Sequence, residues 1–162
     1  MDQIEEIQTA SFAAGCFWGI EQTFRDIPGV IETSVGYASG QIKNPTYSLV
    51  STGKTGHAET VQLKFDPDQV SYQQLLDKFW KIHNPTSLNG QGPDVGSQYR
   101  SIIFYHNDQQ KELAESTKIQ LDKTGHYDKP IVTEIVKAGD FYRAEEYHQQ
   151  YYEKKGIKGC SI

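Results

Sequence analysis

Between Thr60 and Ile82 the spacing of apolar residues changes from two to between three and four, and that change limits the folds open to the chain. Thr60-Val-Gln-Leu-Lys-Phe65 alternates polar and apolar side chains, which predicts a half-exposed strand ended by Asp66-Pro67. Ser71 and Gln74 have the spacing of a capping box. Behind them Tyr72, Leu75, Leu76, Phe79 and Ile82 line one face of a helix that Pro85 closes. Upstream, residues 11–15 read as a short strand. Trp18, Ile20, Phe24 and Ile27 form a helical stripe stopped by Pro28-Gly29, and Thr33 to Tyr37 is a second strand. Downstream, a strand spans Ser101 to Tyr105, and a helix capped by Asn107 or Asp108 runs to about Lys123. A strand from Ile131 to Val136 and a helix from Ala144 to Lys155 complete the series.

The first six elements follow the order strand, helix, strand, strand, helix, strand, which is the split βαβ arrangement. The expected fold is therefore an α+β two-layer sandwich with a ferredoxin-like βαββαβ core plus additional helices and a strand. All 162 residues are expected in a single domain. Residues 1–10 read as a mobile arm and residues 156–162, with Gly156 and Gly159, as a flexible tail. Two long polar, glycine-containing stretches, Ala38 to Gly56 and Asn84 to Gln98, are the natural places to build a site.

Composition excludes several classes of function. The net charge is -5 and no basic run is present, which argues against nucleic acid. No apolar stretch approaches the roughly 20 residues of a membrane span. The acidic opening MDQIEEIQTA is unlike a signal peptide, so a cytoplasmic location is expected. Two cysteines, Cys16 and Cys160, make neither a disulfide framework nor a zinc site, and the five histidines lack HxxxH or HExxH spacing. No metal is expected, and nothing demands more than a monomer.

Cys16 falls in Gly15-Cys-Phe-Trp-Gly19, at the junction of the first strand and the first helix. A thiol at a helix N-terminus gains thiolate character from the free N–H groups and the dipole. The flanking glycines permit close approach of a substrate. Phe17 and Trp18 are suited to hold a methyl group beside a sulfur. A buried core cysteine flanked by core aromatics is the plainer alternative for all three.

The segment around Cys16 resembles the signature of class A peptide methionine sulfoxide reductases, and the resemblance continues in order along the chain. Gly36-Tyr-Ala-Ser-Gly40, Asn44-Pro-Thr-Tyr47, His57-Ala-Glu59, Phe79-Trp80 and His83-Asn-Pro-Thr86 are similar to family motifs. Gln91-Gly-Pro-Asp94, Gln98-Tyr-Arg-Ser101 and Glu146-Tyr-His148 follow. The match covers about Ser11 to Tyr152. It implies a thiol-dependent reductase that converts methionine S-sulfoxide, free and in proteins, to methionine. By that resemblance Cys16 is the nucleophile and Glu59 the proton donor to the sulfoxide oxygen. Tyr47 and Tyr99 hold that oxygen, and Asp94 orders water and loop backbone. A sulfenic acid on Cys16 is then resolved by Cys160 to a disulfide. No cofactor is implied, only an external reductant, thioredoxin or dithiothreitol. The chain departs from the pattern in having one late cysteine, Ser39 for a usual glycine, and Asn84 and Pro93 for a usual Asp and Asn. Three other readings stay open on sequence: a thiol peroxidase or transferase, a cysteine hydrolase pairing Cys16 with His57 or His148, and a non-catalytic module that binds oxidised methionine.

Overall fold

The computed structural model describes residues 6–156. Its elements are β1 (Gln8–Ala14), α1 (Phe17–Arg25), β2 (Val30–Ala38), α2 (Tyr47–Val50) and β3 (Ala58–Phe65). There follow α3 (Tyr72–Lys81), β4 (Gly90–Gln91), β5 (Asp94–Val95), β6 (Ser101–Tyr105) and α4 (Asp108–Lys123). β7 (Glu134–Lys137), β8 (Phe141–Arg143) and α5 (Tyr151–Lys155) complete the elements among the described residues, with 3-10 turns at Ser97–Tyr99 and Glu146–His148. The main sheet runs β7-β6-β1-β3-β2-β8, and β4 and β5 form a separate two-stranded sheet. Every pairing in the main sheet is antiparallel except that of β7 with β6. That parallel pair needs a crossover, which α4 supplies.

The alternation of period two decides which face each strand presents. Phe12, Val35, Tyr37, Val61, Leu63, Phe65 and Ile103 point to one side and bury against Phe17, Ile20 and Phe24 of α1 and Leu75, Leu76, Phe79 and Trp80 of α3. A smaller cluster of Ala13, Ala38, Ala58, Ile102 and Phe104 lies on the opposite face, against Val136, Ala138 and Phe141. The capping box at α3 forms as expected: the Ser71 hydroxyl accepts from the Gln74 N–H at 3.1 Å and the Gln74 carbonyl accepts from the Ser71 N–H at 2.8 Å.

The structure corrects four expectations. Gln8 to Ala10, expected in a mobile arm, are the first residues of β1 and pair with Phe65, Lys64 and Leu63. β3 is not half-exposed: it lies between β1 and β2, and only Lys64 is exposed. The strand expected at Ile131 begins at Glu134. The single helix expected over Ala144 to Lys155 is instead a 3-10 turn, a left-handed Gln150 with φ 50, and the short α5. β8 was not legible at all, being three residues long. It approaches β2 so closely at Gly36 that a Cβ there would meet the Tyr142 carbonyl and the Phe141 ring.

Candidate active site

Cys16 is the N-cap of α1 (φ -59, ψ 123), half-buried where β1 ends on the left-handed Gly15 (φ 109). Any side chain at Gly15 would be strained in that conformation, so the tight exit from β1 that presents Cys16 needs glycine. Glu59, the second residue of β3, stands directly across from Tyr37 on β2. Its parity with Val61, Leu63 and Phe65 turns its side chain to the helix side of the sheet, toward the start of α1. One carboxyl oxygen accepts the Phe17 N–H at 3.3 Å. The other is buried with no hydrogen-bond partner.

That burial governs the electrostatics. Glu59 is 2% exposed. Desolvation lifts its carboxyl from 4.5 to about 8, the Phe17 N–H pulls the other way, and the charge of Asp94 adds to the rise. Tyr47 and Tyr99 respond to the same centre. Burial raises the Tyr47 phenol first, followed by the charges of Glu59 and Cys16. Burial likewise pushes Tyr99 up to about 12, with Glu59, Tyr47, Asp94 and Cys16 contributing. Both phenols therefore keep their protons at neutral pH and can donate hydrogen bonds. Asp94 pairs with Gln91 in the β4–β5 hairpin and lines, with Cys16, an open groove of about 1650 Å³. Glu59, Tyr47 and Tyr99 are not among the residues that line that groove.

The aromatic wall is continuous. Phe17 lies 6.5 Å from Tyr47 and Trp18 6.4 Å from Tyr47, both stacked. The buried His148 ring packs 4.3 Å from Tyr47 and 5.3 Å from Phe17, and its Nδ1 accepts the Trp18 indole N–H at 2.9 Å. With Nδ1 accepting, the neutral ring carries its proton on Nε2.

The sequence-predicted Cys16, Phe17, Trp18, Tyr47, Glu59, Asp94 and Tyr99 thus converge around the start of α1, although they come from five separate segments. Cys160 lies outside the described residues. His57 does not join them. Its Nδ1 accepts the Gly40 N–H at 3.1 Å and its Nε2 is 2.6 Å from the Ile42 carbonyl, so it holds the 38–56 loop in place. Both ring nitrogens are engaged, which removes it as a base for Cys16. Sequence reasoning missed Glu145. Its carboxylate accepts the Tyr37 hydroxyl at 2.9 Å and the Tyr47 N–H at 3.1 Å, tying the loop that carries Tyr47 to the sheet. Its only local signal was its place beside the Glu146-Tyr-His148 motif. Sequence reasoning also gave no role to Arg100, whose guanidinium donates to the Gly56 carbonyl (2.8 Å), the Ser97 carbonyl (2.9 Å) and Glu134 (2.9 Å).

The sequence profile of the family described as peptide methionine sulfoxide reductase matches residues 8–162. The chain belongs to that family. It is 60% identical over 153 residues to the peptide methionine sulfoxide reductase MsrA of Methanosarcina acetivorans, covering 94% of this chain and 81% of the relative. The reduced form of Mxr1 from Saccharomyces cerevisiae superposes with a TM-score of 0.85 at 36% identity, over 96% of this chain and 89% of that one. Mxr1 in complex with Trx2 matches with a TM-score of 0.61 at 26% identity, over 93% and 89% of the two chains. As a peptide methionine sulfoxide reductase the protein is an oxidoreductase that acts on methionine sulfoxide. Among the described residues no group of three or more His, Cys, Asp or Glu could hold a metal, and no helix is long and apolar enough to cross a membrane.

Proposed function

We propose that the reductase acts on the S epimer of methionine sulfoxide, free and within polypeptides, by attack of the Cys16 thiolate on the sulfoxide sulfur while Glu59 protonates the oxygen. The observation that carries this reading is the Glu59 carboxyl. It is buried, fixed through one oxygen to the peptide next to Cys16, and its other oxygen has no partner. A carboxyl held near 8 is protonated at neutral pH and can give its proton to an oxygen that develops charge. The phenols of Tyr47 and Tyr99 donate to the same oxygen. Phe17 and Trp18 receive the methyl and the side chain of the substrate. Asp94, at the groove that Cys16 borders, orders water and the hairpin backbone.

The atoms balance without a cofactor. The oxygen passes from the substrate sulfur to the Cys16 sulfur, Glu59 supplies one proton, and methionine leaves, giving a sulfenic acid on Cys16. The Cys160 thiol attacks that sulfur, a disulfide forms as the S–O bond breaks, and the oxygen leaves as hydroxide that takes up the thiol's proton to give water. A thioredoxin then returns two electrons by thiol exchange. The yeast relative's complex with Trx2 supports thioredoxin as the reductant.

The test uses racemic methionine sulfoxide with dithiothreitol, following each epimer by chiral chromatography. Loss of the S epimer alone, absent in Cys16→Ser, is the expected result. Equal loss of both epimers, or activity retained in Cys16→Ser, overturns the reading. Cys160→Ser is expected to reduce one equivalent and then fail to turn over with thioredoxin.

A further inference from the structure

A helix as short as α2 cannot hold its own first turn, because its opening N–H groups find no acceptor within it. The Thr46 hydroxyl takes the Leu49 N–H at 3.2 Å, and the Tyr47 N–H needs an acceptor from elsewhere. Glu145, 98 residues along the chain, supplies it at 3.1 Å through one carboxylate oxygen. The other oxygen accepts the Tyr37 hydroxyl at 2.9 Å. The backbone around Glu145 is itself fastened to β2. The Ala144 N–H donates to the Val35 carbonyl at 2.9 Å. The Gln149 side chain accepts the Val35 N–H at 2.8 Å and donates to the carbonyls of Val35 (2.8 Å) and Ala144 (2.9 Å). The carboxylate thus takes its place from β2, whose Tyr37 stands opposite Glu59.

Both arms of this bridge persist at neutral pH. Burial, followed by the bond to Glu145, raises the Tyr37 phenol far above its ordinary value, so its one proton stays and is given to Glu145. Burial pushes the Glu145 carboxyl up, but its own N–H, the Tyr47 N–H and the Tyr37 hydroxyl together bring it below its ordinary value. It is therefore ionised, and bonds to an ionised acceptor are the stronger kind. The Tyr47 ring is held separately, packed 4.3 Å from the His148 ring. With both the N–H and the ring fixed, the phenol has a set position. The charge of Glu59 acts on that phenol, so the two groups share one centre.

We propose that Glu145 is a positioning residue for oxygen transfer: by bridging Tyr37 to the Tyr47 N–H it sets the Tyr47 phenol where it and Glu59 donate to one sulfoxide oxygen. This rests on the donor roles given to Tyr47 and Glu59 above. Glu145 acts through Tyr47, and displacing a donor by about 1 Å costs up to about a hundredfold in rate.

The test is a double-mutant cycle in the full chain, read as methionine release in a single turnover. Glu145→Ala, Tyr37→Phe and Tyr47→Phe are compared with the parent, and the first two are each combined with Tyr47→Phe. Glu145→Ala is expected to lower the rate at saturating sulfoxide by about tenfold to a hundredfold, no further than Tyr47→Phe, while the half-saturating concentration moves less than about threefold. Tyr37→Phe keeps the ring and removes one arm of the bridge, so its loss is smaller and of the same kind. Neither loss adds to that of Tyr47→Phe. Glu145→Gln keeps an acceptor for the Tyr47 N–H and is expected to stay within about threefold of the parent. Tyr37→Phe and Glu145→Gln carry the cycle if Glu145→Ala does not fold. Losses that add to that of Tyr47→Phe overturn the proposal, since Glu145 then acts on something other than the phenol. A Glu145→Gln variant as slow as Glu145→Ala overturns it too, as do parent rates in all the Glu145 and Tyr37 variants beside a slow Tyr47→Phe. Tyr47→Phe at the parent rate overturns instead the underlying donor role of Tyr47, and the positioning falls with it.

Discussion

The proposed chemistry turns on a single oxygen of Glu59. Buried without a partner, it is expensive in a folding sense and useful only to a ligand that brings an acceptor for its proton. Glu59→Gln keeps the shape and an acceptor for the Phe17 N–H but removes the acid. The rate of methionine release in a single turnover is expected to fall by roughly 10²–10⁴. In the parent that rate should decline as the pH passes about 8, where Glu59 loses its proton. A variant that keeps the parent rate and its alkaline decline would clear Glu59 of the role. Ser39 is a second position where one residue carries a cost. It holds φ 73, in the left-handed region that favours glycine. A left-handed non-glycine residue costs about 1–2 kcal/mol, and glycine loses about 0.5–1 kcal/mol more in ordering. Ser39→Gly is therefore expected to raise stability by up to about 1 kcal/mol, measured by urea unfolding, with activity unaltered.

Short elements hold the site together because long ones cannot reach it. α2 has four residues, β4 and β5 two each, and the turn bearing Tyr99 three, so none is stable alone. Their positions come from cross-links: Glu145 to Tyr37 and the Tyr47 N–H, His57 to the 40–42 backbone, and Gln91, which both donates to and accepts from Asn84. Arg100 joins the Tyr99 turn to the loop ahead of β3 and to β7 through its planar fork, reaching Gly56 three residues ahead of Glu59, Ser97 two ahead of Tyr99, and Glu134. A lysine has no such fork. Arg100→Lys is expected to cost about 1–3 kcal/mol in stability. It should also lower kcat/KM for sulfoxide, by releasing the segments of Glu59 and Tyr99 together. Unchanged kinetics would mean that those segments hold themselves.

At the scale of the molecule two buried groups oppose each other as the pH changes. Burial lowers His83 from 6.5 to about 4, against the pull of its bond to the Phe79 carbonyl. Between those values the unfolded chain takes a proton that the folded one refuses, so stability is lost as pH falls. Glu59 does the reverse. From 4.5 to about 8 the folded chain keeps a proton that the unfolded one gives up, and stability is lost as pH rises. Between 4.5 and 6.5 the two contributions offset each other. From 6.5 to 8 Glu59 acts alone, with a slope of up to about 1.4 kcal/mol per pH unit. Urea unfolding across this range is expected to show that decline in the parent and its loss in Glu59→Gln. Much of this architecture was written locally. The alternation around Thr60 to Phe65, the Ser71–Gln74 box and the stripes on α1 and α3 each depend on residues a few positions apart, which is the range over which propensity and capping act. Tyr47, Glu59, Asp94 and Tyr99 were singled out by the resemblance of short motifs to those of a family, and Cys16 by that resemblance together with its place at a strand–helix junction. What only the tertiary structure decided depends on partners far apart in sequence: Tyr37 with Glu145, Trp18 with His148, Glu21 with Gln150. No local pattern encodes those distances. β8 is too short to show a period, Gln150 turns left-handed only because Glu21 holds it, and Glu59 becomes an acid near neutral pH only because the sheet and α1 close over it.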